Sequence, residues 1–61
     1  SMTDAEVAPL LASVAPGLRD GAVLVVERSA RDPEPTWPAG LRRFGHRSYG
    51  ETALWFAEPE D

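Results

Sequence analysis

The chain has 61 residues and a formal net charge of −4 at neutral pH, with no cysteine and a single histidine. That length holds one small domain, which buries only about 60% of its unfolded surface and is marginally stable. Lacking cysteine, it has neither a disulfide staple nor a thiolate metal site; a lone His46 argues against structural zinc, and the acidic balance disfavours nucleic acid as an average partner.

The charge is uneven. Between Arg28 and Arg47 five arginines face only Asp32 and Glu34, while the remainder carries one arginine and eight acids. Every basic residue is arginine. No run of eighteen or more apolar residues marks a transmembrane helix. No basic segment followed by an apolar one marks a signal peptide. A cytoplasmic protein is the expectation. Ser1-Met2 reads either as a processing scar or as native sequence of a chain cut from a longer one.

Thr3-Asp4-Ala5-Glu6 has the spacing of a capping box, with Met2 and Val7 at the staple positions. Asp4 and Glu6 suit the positive end of a helix dipole. Val7, Leu10, Leu11, Val14 and Leu18 follow helical spacing as one apolar stripe. The pattern predicts an amphipathic helix over about 4–15, closed by Pro16-Gly17. Pro9 conflicts with it, at ~3 kcal/mol in a helix interior. Either the first turn is kinked or the helix starts near Ala8.

Asp20-Gly21 makes a turn into Ala22-Val23-Leu24-Val25-Val26, the most apolar run of the chain. Such a run predicts one buried strand, over about 22–28, covered on both faces. A helix followed by an all-apolar strand is the second half of a βαβ unit. The first strand of that unit is missing.

The segment 29–40 is a Pro-rich loop, punctuated by Pro33, Pro35 and Pro38, which exclude helix and central strand. Trp37 either folds back onto the sheet edge or stays free for a ligand. The segment 41–57 reads as an antiparallel hairpin. Leu41–Arg47 is its weaker strand, Ser48–Glu51 its turn and Thr52–Ala57 its stronger strand, apolar on both faces. The acidic tail 58–61 is expected to fray.

Chemistry is sparse. Asp32 and Glu34 read as solvated loop acids. Ser29, Ser48 and His46 lack the surroundings of a nucleophilic triad, and there is no glycine-rich phosphate loop. Glu27, which closes the apolar strand, is an edge-of-site carboxylate or the partner of Arg28 or Arg47. The suggestive cluster is Arg42, Arg43, His46 and Arg47, interleaved with Phe44 and Tyr49. Arginines among aromatics bind RNA through phosphate contacts and base stacking. The same charges also serve to block edge-to-edge pairing of a solvated strand. Both readings stay open.

Four stretches taken together resemble a known family. They are Asp4–Val7 with Leu10-Leu11, Gly21–Ser29, Pro33–Leu41 and Tyr49–Trp55. The pattern is similar to the carboxy-terminal third of the bacterial 16S ribosomal RNA (guanine-N(2))-methyltransferases, in an actinobacterial-like form. Val25–Arg28 and Tyr49–Thr52 carry most of the likeness, which spans roughly residues 3–58.

The resemblance implies an α/β fold, the C-terminal piece of a Rossmann-like class I methyltransferase. The helix would precede the sixth strand, 22–27, and Thr52–Ala57 would be the antiparallel seventh. It implies S-adenosylmethionine as cofactor of the full enzyme, with none bound by this segment alone. The expected partners are the remainder of the methyltransferase domain and ribosomal RNA, without membrane or metal. The family's cofactor loop, ribose-binding acid and catalytic Asn/Asp-Pro-Pro-Tyr motif lie upstream of this region. No catalytic or cofactor-binding residue carries over, and Asp32-Pro33-Glu34-Pro35 follows the wrong strand to be that motif. The alternative function is a small non-enzymatic interaction or dimerisation module, using Trp37, Trp55 and the two-faced strand.

Overall fold

The computed structural model describes residues 2–60. Helix α1 spans Asp4–Val14 and begins at the capping box. The Glu6 carboxylate accepts the Thr3 backbone N–H at 3.0 Å and the Thr3 hydroxyl at 3.2 Å. The N–H groups of Glu6 and Val7 both donate to the Thr3 carbonyl at 3.0 Å. The first turn, whose donors otherwise lack partners, is thereby tied together. Pro9 does not delay the start, because it lies inside the helix. A turn of 3-10 helix, Ala15–Gly17, ends the segment, and Leu18 N–H closes it on the Ala15 carbonyl at 3.2 Å.

The buried stripe is narrower than the spacing suggests. Val7 and Leu11 are buried, but Leu10 and Val14 remain exposed. Val7, Leu11 and Leu41 form the core, with Ala15, Leu18, Leu24, Val26 and Trp37 packed against them. Trp37 therefore folds back onto the domain.

Three strands follow: β1 (Leu24–Ser29), β2 (Leu41–Tyr49) and β3 (Thr52–Pro59). They form one sheet in the order β1-β3-β2, and both pairs are antiparallel. The protein is thus a small α/β domain of one helix and a three-stranded antiparallel sheet. β1 and β2 run in the same direction on either side of β3, so no two neighbouring strands among the described residues are parallel.

The hairpin is tighter and longer than the sequence suggests. Its loop is only Gly50-Glu51, with Gly50 at φ +54°, the left-handed backbone that a two-residue hairpin turn requires at its first position. Ser48 and Tyr49 accordingly belong to β2. Pairing also continues beyond Ala57, with Arg42 opposite Glu58 and Leu41 opposite Pro59. Glu60 N–H donates to the Gly40 carbonyl at 2.9 Å. The expected frayed tail is a paired strand end as far as Glu60, and Asp61 lies outside the described residues.

Strand alternation divides the sheet into two faces. One face carries Leu24, Val26 and Arg28, then Ala53, Trp55 and Ala57, then Leu41, Arg43, His46 and Ser48. The other carries Val25 and Glu27, then Leu54, Phe56 and Glu58, then Arg42, Arg47 and Tyr49. Apart from Pro35 in the segment 29–40, every buried residue described belongs to α1 or to the first face. On the second, Val25 is 51% exposed and Tyr49 56%, and Val23, just before β1, is 57% exposed. Expectation and structure part here. β1 is not buried on both faces, because α1 covers one and nothing among the described residues covers the other.

Trp55 is the largest side chain of the covered face. Replacing it with alanine should cost about 3–5 kcal/mol. A domain of this size holds only about 3–9 kcal/mol in total. Urea unfolding should therefore find Trp55→Ala stripped of at least about a third of that stability, and a near-native midpoint would contradict this placement.

Candidate nucleic-acid interface

The arginine cluster lies on β2, an edge strand of the sheet. It does not form one surface. A β-bulge interrupts the β2–β3 register between Arg43 and Gly45, leaving Phe44 as the extra residue. An extra residue shifts the alternation and re-aims the side chains that follow. The Phe44 ring lies 6.2 Å from that of Phe56, which puts Phe44 on the open face. Gly45 sits over Phe56, where an added Cβ would lie 3.4 Å from the ring. Arg42 and Arg47 share that open face, while Arg43 and His46 point to the covered one.

On the covered face the four expected RNA contacts are reduced to a pair with local duties. The His46 ring stacks on Trp55 at 4.0 Å between centroids. The Arg43 guanidinium lies 5.8 Å from the centre of the Trp55 ring, within cation–π range. Arg43 Nε also donates to the Glu34 carboxylate at 2.9 Å, and the Trp37 indole N–H donates to the same oxygen at 2.8 Å. The Trp55 indole nitrogen is buried without a hydrogen-bond partner among the described residues.

Glu34 therefore does more than solvate a loop. With Asp4 it fastens the connection 30–40 to the rest of the domain. Asp4 accepts the Thr36 backbone N–H at 2.9 Å and the Thr36 hydroxyl at 2.7 Å. Asp32 is also engaged, 3.3 Å from Arg28, whose side chain is 9% exposed. Glu27, expected to pair with an arginine, forms no ion pair among the described residues.

On the open face, Arg42 forms an ion pair with Glu58 of the neighbouring strand. Arg47 donates to the Tyr49 hydroxyl at 3.4 Å, a long contact. The face thus presents Phe44, Phe56 and Tyr49 beside two arginines, an arrangement that can take stacked bases or apolar side chains.

One shallow cleft of about 290 Å³ opens beside β1, lined by Met2, Glu27, Arg28, Ser29, Asp32 and Thr52. Its cation, Arg28, is already paired with Asp32, so it offers no free pair of acid and base. Among the described residues no group of three or more His, Cys, Asp or Glu could hold a metal ion, and no helix is long and apolar enough to cross a membrane. No protein-family model matches the chain, and no curated protein matches it.

The loop clamps were legible only in part. Glu34 and Trp37 stand three residues apart, a spacing at which side chains in a folded-back loop can meet, but nothing marks Arg43 as the further partner of Glu34 or Asp4 as the partner of Thr36. The Thr36 donors hold Asp4 below its ordinary value of 3.8. The Trp37 indole, then Arg43, hold Glu34 below 4.5. A carboxylate whose pKa is lowered on folding stabilises the fold above its unfolded pKa, and that contribution is lost as pH falls through the folded value. Tryptophan emission should report loosening of the 30–40 connection below about pH 4. Glu34→Gln should make that acid transition shallower. An unchanged transition would remove the Glu34 clamp.

Proposed function

We propose that this chain is the C-terminal segment of an S-adenosylmethionine-dependent methyltransferase that modifies a guanine exocyclic amine in 16S ribosomal RNA. The observation that carries the reading is the local order of elements. A helix leads through the connection 15–23, which opens with the 3-10 turn, into β1, and the last strand, β3, lies antiparallel beside it. The resemblance assigns that arrangement to the helix, sixth strand and seventh strand of a Rossmann-like sheet. The residue likeness over Gly21–Ser29 and Tyr49–Trp55 adds to it.

In this reading the chain completes a sheet and carries no catalysis. The rest of the domain joins at an outer sheet edge, where main-chain groups have no ladder partner among the described residues. That remainder supplies the cofactor loop and the catalytic motif, and S-adenosylmethionine supplies the methyl group. Arg42 and Arg47 from one face of β2, with Arg43 from the other, place charge along an exposed edge where a phosphate backbone can pass, and the His46 ring lies beside Arg43. The enzyme works in the cytoplasm.

The test is the native polypeptide that contains these residues. Its mass should be about 20 kDa, that of a single enzyme domain, and it should transfer a labelled methyl group to 16S RNA. A native polypeptide of 6.6 kDa that melts cooperatively as a monomer would overturn the reading. In the full enzyme, alanine at Arg42, Arg43 and Arg47 should weaken RNA binding. It should also flatten the salt dependence, by about 0.7 in log–log slope for each phosphate no longer neutralised. An unchanged slope would leave these arginines as edge-strand protection alone.

The interaction-module reading also has an observation in its favour, the uncovered sheet face. Trp37 and Trp55 cannot form that surface, since both lie on the covered side.

A further inference from the structure

The register defines the uncovered face row by row. From β1 through β3 to β2, one row is Val25, Phe56 and Gly45, with the bulged Phe44 beside it. The next is Glu27, Leu54 and Arg47, and the third is Ser29, Thr52 and Tyr49. At the far end Arg42 and Glu58 pair with each other. The middle of the face is apolar and aromatic. Glu27 and Arg47 stand at opposite ends of one row, about 10 Å apart by strand spacing. Neither forms an ion pair among the described residues.

We propose that this face packs against the same face of a second copy of this chain, giving a twofold-symmetric dimer. A twofold axis running along β3, midway between two facing sheets, exchanges the β1 side with the β2 side and keeps the level along the strand. It sets Leu54 and Phe56 against their own counterparts. Each Val25 meets the Phe44 of the second copy, and each Glu27 meets its Arg47. Charges that are stranded within one chain become complementary between two. The same patch serves both copies, as a closed two-chain interface requires.

The geometry tolerates ordinary sheet packing. Facing sheets lie about 10 Å apart and are rotated by about 30°. With row ends about 5 Å from the axis, that rotation moves each by about 3 Å, within the reach of Glu and Arg side chains. Nucleic acid suits the face less well. Its charged side chains Arg42, Arg47, Glu27 and Glu58 sum to zero, whereas a single strand seeks a positive groove. The inference does not rest on the methyltransferase reading and competes with it for Arg47 and the open face; association state tests the one and methyl transfer the other.

Sedimentation equilibrium of the 61-residue chain tests it. The wild type should sediment at twice the chain mass. Glu27→Arg alone or Arg47→Glu alone places like charges across both symmetric contacts. Each should raise the dimer Kd by at least about tenfold, with circular dichroism unchanged. Mixing the two variants should restore association as a one-to-one heterodimer, since every 27–47 contact is then opposite in sign. The double variant on one chain should dimerise by itself. A wild type monomeric up to millimolar concentration overturns the proposal. So do single variants that associate like wild type, or a mixture that stays monomeric. A monomeric wild type that binds single-stranded RNA, with binding abolished in Arg47→Glu, would give the face to nucleic acid instead.

Discussion

The fold turns on one crossing. β1 and β2 lie on opposite flanks of β3, so the chain between them must pass over β3 on one side of the sheet. It passes on the side that α1 already occupies, which its ties to Asp4 of the helix and to Arg43 fix. Both elements outside the sheet are therefore spent on the same face. Val7, Leu11, Leu41 and Trp55 are buried as a result, while Val25 and Tyr49 are not.

This explains why a loop rich in proline is so firmly attached. Pro33, Pro35 and Pro38 cannot donate main-chain hydrogen bonds, so the segment has few ladder-like ways to hold its place. Side chains do that work. Thr36 reaches the start of α1, Trp37 enters the core, and Glu34 joins Trp37 to Arg43. Trp37 apart, the clamps use residues that by sequence alone are ordinary loop composition.

The sequence made helix, strands and hairpin legible because their signals are local. A capping box, a valine run and alternating apolar residues report on neighbours a few positions away. What it hid is long-range. The narrowing of the helix stripe to Val7 and Leu11 depends on how α1 sits over β1 and β2. The apolar run at β1 predicted cover on both faces, yet apolarity records what a surface needs and does not say whether this chain supplies it. The arginine cluster looked like one surface because Arg42, Arg43, His46 and Arg47 are close in sequence. A single extra residue, Phe44, and the period of two divided it between faces.

That extra residue also bears on how the sheet can grow. β2 is an exposed edge, and a regular edge invites another strand to add to it without end. With Phe44 bulged out and Arg42, Arg43 and Arg47 along its length, β2 presents a broken and charged ladder that a straight strand cannot follow. β1 has no such interruption. Extension of this sheet is therefore directional: one rim is barred to polymerisation and the other stays open to a single added neighbour.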